Sequence, residues 1–168
     1  MRLTKQYAYG LLAALSEDEK LAMYHELKKI NDLLEELEDY VSIVEFIPEE
    51  MGQLSKILDG EFDPLAINFI HVLVQDGLLS RLGTVIEDYR FGLVEEEILT
   101  EVSISSAKPL SDSFKEKIKE LINRNWTTDF MLSFKVDSDL LGGVRLEVNN
   151  AVIDTTFRSR INQILREV

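Results

Sequence analysis

Residues 3 to 15 contain one helix breaker, Gly10, and are apolar or small from Tyr7 to Leu15, so a helix here is apolar on more than one face. Ser16 starts a new element. With Glu19 three residues on, it forms the sequence of a capping box, and Glu17 and Asp18 suit the positive end of a helix dipole. The helix predicted from there runs to about Tyr40, with Leu21, Tyr24, Leu27, Asn31, Leu34, Leu37 and Val41 at spacings of three and four and charge on its other face. A short apolar turn, Val41 to Ile47, stops at Pro48, which suits the start of another short helix ending near Gly60. Asp63 and Pro64 open a fifth helix, Leu65 to Gln75, that Gly77 closes. Leu82, Val85, Ile86, Tyr89 and Leu93 mark a sixth.

The period then changes. Val102 and Ile104 alternate with polar residues, as do Phe130, Leu132, Phe134 and Val136, then Val144, Leu146 and Val148, the pattern of half-buried strands. Asn149-Asn150 predicts a tight hairpin turn into Ala151 to Ile153. Ser111 caps a helix bearing Phe114, Ile118, Leu121 and Ile122, and a last helix bears Phe157, Ile161, Ile164, Leu165 and Val168. The predicted fold is mainly α with a smaller α/β part. A six-helix bundle over residues 1–105 is followed by a small α/β domain over 106–168.

Charge sharpens this division. The 168 residues carry 18 basic and 31 acidic side chains, a net charge of −13 that repels phosphate backbones and argues against a nucleic-acid partner. Residues 1–105 hold eight basic and 22 acidic groups, net −14, whereas residues 106–168 hold ten and nine, net +1. The step reads either as two units with different partners or as drift on solvated helix faces. Without cysteine, disulfides, thiolate metal sites and cysteine nucleophiles are excluded. No apolar run approaches the roughly 20 residues of a bilayer span, and the first residues lack a signal-peptide pattern. The expectation is a soluble, cytoplasmic chain that touches a membrane only through other proteins.

A search for chemistry finds little. His25 and His71 lie far apart with no metal-ligand spacing around them, and each reads as a surface or packing residue. Asp137, Asp139 and Asp154 are the one carboxylate set that could gather a hard cation, as a small metal-dependent hydrolase would need. The competing reading is that Asp137-Ser138-Asp139 makes a turn between strands. Gly142-Gly143 precedes a strand and no P-loop lysine follows it, and no serine sits in a nucleophile elbow. No catalytic residue, cofactor or metal is therefore expected. Trp126, the only tryptophan, reads as packing.

What the sequence does offer is surplus apolar surface. The fifth helix carries too many apolar residues for one stripe. Phe69, Val72 and Leu73 are assigned to the core, and Ile67, Ile70, His71 and Val74 to a second face. Tyr7, Ala8, Leu11 and Ala14 give the first helix a similar second row. If the two rows are neighbours, they form a groove for a partner's amphipathic helix; if both helices are central, their own chain covers them.

Val136 to Val144, continuing through Val148, Val152-Ile153-Asp154 and Arg158 to Ile161, resembles the C-terminal signature of the delta subunit of bacterial F-type ATP synthases, the relative of the oligomycin-sensitivity-conferring protein. Val102 to Ser111, with Ala107, Pro109 and Leu110, is similar to that family's strand and following "A-x-P-L-S" stretch. Asn68-Phe69-Ile70 with Gly77 and Leu82 resembles its "NFL…NG" helix pair, and Tyr7-Ala8 with Leu11 its opening helix. Gly10, Leu78, Ser138-Asp139 and Thr155 depart from the family's usual alanine, arginine, proline-serine and glycine, as in a divergent member.

The resemblance implies a non-catalytic stator subunit. In that family the bundle takes the N-terminal helix of an alpha subunit between its first and fifth helices, and the C-terminal part meets the ends of the b subunits of the peripheral stalk. The complex would hold the protein as a peripheral subunit on the cytoplasmic face of the cell membrane. On this reading Tyr7, Leu11, Ile67, Ile70 and Val74, flanked by Ala8, Ala14 and His71, face the alpha helix. Phe157, Ile161 and Leu165 divide between domain core and stalk contact. The alternative is an acidic helix-binding adaptor unrelated to ATP synthase.

Overall fold

The computed structural model describes residues 2–37, 41, 43–44, 47, 51–125, 129–140, 144–149 and 151–152. The chain divides into two units, Met1–Glu96 and Glu97–Val168. Among the described residues the first unit contains α1 (Leu3–Ala14), α2 (Glu17–Glu35), α3 (Met51–Leu58), α4 (Pro64–Gln75), a 3-10 turn (Leu79–Arg81) and α5 (Leu82–Glu95). The helix counted fifth from the sequence is thus α4. The predicted short apolar turn, Val41 to Ile47, is described at Val41, Ile43, Val44 and Ile47, and its other three residues lie outside the described residues.

Local signals place these helices. Ser16 and Glu19 close the capping box at the start of α2, where the Ser16 amide donates to Glu19 Oε2 at 3.0 Å. Asp63 caps α4 by accepting from the Leu65 amide at 2.7 Å, with Pro64 in the first turn. Gly77, at φ +65°, ends α4: its amide donates to the Val74 carbonyl, and the Leu78 amide to the Leu73 carbonyl at 2.8 Å. This is the Schellman arrangement, and the buried pair Leu73 and Leu78 seals it.

The core of the first unit gathers around α5. The α1 helix approaches it closely at Gly92, where an added Cβ would lie 2.2 Å from Leu12 Cδ1. Along the same seam Thr4 donates to the buried Asp88 at 2.7 Å and Tyr9 to Glu95 at 2.5 Å. The α2 helix joins through the buried Tyr89, whose hydroxyl donates to the Lys20 carbonyl at 2.9 Å, and Lys20 pairs with Glu96 at 2.7 Å. Burial holds the Tyr89 hydroxyl well above its ordinary pKa. The buried stripe of α2 is Met23, Tyr24, Leu27, Ile30 and Leu34. Ile30, not the half-buried Asn31 of the sequence reading, supplies the inward position.

The second unit holds β1 (Leu99–Ser106), α6 (Asp112–Asn125), β2 (Asp129–Val136), β3 (Val144–Val148) and β4 (Ala151–Val152). The sheet order is β2-β1-β3-β4. β1 pairs parallel with β2, from Leu99 opposite Asp129 to Ser106 opposite Val136, and antiparallel with β3, from Val102 opposite Val148 to Ser106 opposite Val144. The parallel pair needs a crossover, which α6 supplies. Phe114, Ile118 and Ile122 of α6 pack on Val102, Ile104 and Leu146 of the sheet. Asn149, at φ +47°, turns β3 into β4, as the Asn-Asn hairpin requires, while Asn150 lies outside the described residues.

The sequence reading puts the boundary at 105/106, but the units divide at Glu96/Glu97. β1 has a neighbour strand on each side, so it is an inner strand of the second unit's sheet. With this boundary residues 1–96 carry eight basic and 20 acidic groups, net −12, and residues 97–168 carry ten and 11, net −1. The charge step survives, slightly reduced. Among the described residues no single helix is long and apolar enough to cross a membrane.

Candidate helix-docking surface

The first unit presents one row on each of two helices. On α1, Leu3, Tyr7, Gly10 and Ala14 follow at spacings of four, three and four, and on α4 so do Leu65, Phe69, Val72 and Asp76. Such spacings keep each set on one helix face. Leu3 is 48% exposed, Leu65 43% and Val72 41%, while Phe69 is nearly covered. The rows meet where the Tyr7 hydroxyl donates to Asp76 Oδ2 at 2.5 Å. That bond, with some burial, pushes the Tyr7 hydroxyl pKa up. Leu11, almost fully buried, lies on the inner side of the α1 row.

This overturns half of the sequence assignment. Tyr7 and Ala14 remain at the surface, but Ala8 is completely buried and Leu11 nearly so. On α4 Phe69 and Leu73 are buried as read, but the other assignments do not hold. Ile67, Ile70 and Val74, read as the outward row, are buried, and Val72, read as core, is exposed. His71 lies half-buried on the flank away from Asp76, its Nε2 at 2.8 Å from Ser55 Oγ of α3. The outward face of α4 is therefore Leu65, Val72 and Asp76, with Phe69 at its inner edge. Two apolar rows on one helix leave apolar spacing alone unable to say which points inward. The polar positions Asn68, Gln75 and Asp76 were the available clue, because they share the outward side with Leu65 and Val72.

The other candidates resolve locally. Asp137 Oδ1 accepts from the Asp139 amide at 3.1 Å, Arg145 approaches its other oxygen at 3.4 Å, and the Leu140 amide closes the turn onto the Asp137 carbonyl. Asp137-Ser138-Asp139 is thus a turn after β2. Asp154 lies outside the described residues, as do Trp126, Gly142, Gly143, Phe157, Ile161 and Leu165. Among the described residues no three His, Asp or Glu side chains gather to hold a metal ion. His25 is exposed and tilts against the Tyr24 ring.

Comparison with known proteins places this architecture. The family model "ATP synthase delta (OSCP) subunit" matches residues 3–168. An ATP synthase subunit delta of Haemophilus ducreyi is 27% identical over 168 residues, which cover 96% of this chain and 93% of that protein. The Syntrophomonas wolfei subunit delta is 24% identical over 157 residues, covering 85% and 86%. The fold is shared with a chain in a cryo-EM structure of the Toxoplasma gondii mitochondrial ATP synthase hexamer, at TM-score 0.59 and 20% identity over 99% of this chain and 97% of that one. A match along nearly every residue, in sequence and in fold, leaves one conclusion: the chain belongs to the ATP synthase delta (OSCP) subunit family.

Proposed function

We infer that this protein is a stator subunit of an F-type ATP synthase, part of the membrane-associated complex and without a reaction of its own. The observation that carries this is the family match over residues 3–168. Nothing in the comparisons favours an unrelated acidic adaptor. During proton flow the rotor applies torque to the catalytic head, and a head free to turn would dissipate that work. A subunit bound on one side to the head and on the other to the peripheral stalk prevents the slip.

The finer assignment gives each unit one partner. The first unit receives the N-terminal helix of an alpha subunit on the α1 and α4 rows. Exposed Leu3, Leu65 and Val72 supply the apolar anchors that helix-in-groove binding uses. The second unit, with the terminal segment bearing Phe157, Ile161 and Leu165, holds the C-terminal ends of the b subunits. The protein sits on the cytoplasmic face of the cell membrane, held there by its partners. Co-purification tests the division. Deleting residues 155–168 should abolish recovery with b while an alpha N-terminal peptide still binds; loss of both overturns it.

A further inference from the structure

We propose that the helix docked on the α1 and α4 rows carries a lysine or arginine that pairs with Asp76, so that the partner is an amphipathic helix with a basic edge. This rests on the reading of those rows as a helix-docking surface. Asp76 stands where the rows meet and is exposed, with one carboxylate oxygen accepting from Tyr7 at 2.5 Å. It is also the C-cap of α4, which has no basic residue in its last turn. The carboxylate and the negative end of the helix dipole therefore add at one point.

No other member of either row is charged, so nothing on the rows offsets that negative potential. The nearby cations of α1 point elsewhere: Arg2 approaches Asp88 at 3.6 Å, and Lys5 lies over the Tyr9 ring at 4.6 Å on the opposite flank. An incoming acidic side chain meets repulsion at Asp76 and an apolar one leaves the charge unpaired, whereas a cation satisfies it. The net charge of −12 on residues 1–96 steers the same class of partner from a distance.

The test is calorimetric titration of the full chain with a synthetic peptide of the alpha N-terminal helix, at low and high salt. Asp76→Asn keeps an acceptor for Tyr7 and removes only the charge. It should weaken binding about two- to five-fold at low salt, the scale of an exposed ion pair, and by nothing at high salt. Asp76→Lys should weaken it further, and Tyr7→Phe should leave the salt dependence in place. Wild-type affinity for Asp76→Asn at low salt, with binding lost in Val72→Asp, overturns the basic-edge proposal alone. Wild-type affinity in Val72→Asp, with helical content intact by circular dichroism, overturns the docking reading itself.

Discussion

Gly10 and Gly92 sit on two helices in contact and respond to a methyl group in opposite ways. Nothing lies within 4 Å of a Cβ added at Gly10, which is exposed in mid-α1. Gly10→Ala should therefore raise the free energy of unfolding by about 0.5–1 kcal/mol, the helix-propensity difference, as measured by denaturant titration. At Gly92 the same change drives a methyl into the Cδ1 of Leu12, a core side chain only 2% exposed that must shift to admit it. Overpacking of about 1–3 kcal/mol then outweighs the propensity gain of about 1, and Gly92→Ala should destabilise. The capping box carries a pH signature. The Ser16 hydroxyl and amide hold the Glu19 carboxyl below its ordinary pKa. Its contribution is thus complete above the ordinary carboxylate range and lost as the pH falls through the depressed value. Glu19→Gln should flatten that acid limb of the stability profile, and an unchanged profile would count against the box.

At the level of elements, the Ser16 and Asp63 caps, the strand alternation and the Asn-Asn turn were legible because each is a local signal in which a few neighbouring residues decide the geometry. The orientation of α4 was not, since Ile67, Ile70 and Val74 form as good an apolar row as Leu65, Phe69 and Val72. Apolar spacing does not decide between them; the polar Asn68, Gln75 and Asp76 on one side and the packing around α4 do. The domain boundary failed for a related reason: the alternation of β1 is visible, but which unit owns the strand depends on partners far along the chain, at Asp129 and Val148. The corrected orientation separates two variants that look equivalent in sequence. Ile70→Asp buries an unpaired carboxylate at a site with no solvent exposure and should unfold the first unit, a cost of several kcal/mol. Val72→Asp should leave the melting curve nearly unchanged and still weaken an alpha peptide in calorimetry. In the second unit, Ile118→Ala removes the centre of the α6 face and should cost about 2–5 kcal/mol.

For the molecule as a whole, unequal charge predicts unequal response to salt. Residues 1–96 carry −12 and residues 97–168 only −1, so screening relieves self-repulsion mainly in the first. All five tyrosines fall in the first unit and the single tryptophan, Trp126, in the second, so each unit has its own optical probe. Added salt should raise the midpoint followed by tyrosine more than the one followed by Trp126; equal shifts would show that the charge is not felt by the fold. The join between the units bears on the mechanical role. Only Glu97 and Ile98 separate the end cap of α5 from β1, a span from Glu96 to Leu99 of at most about 11 Å when fully drawn out. On one side of this tether is the helix on which α1 and α2 pack, with its end cap Glu96 tied to Lys20; on the other is a strand paired with β2 from Leu99 and with β3 from Val102. A segment this short leaves little chain to draw out between the last helix of one unit and the first strand of the next.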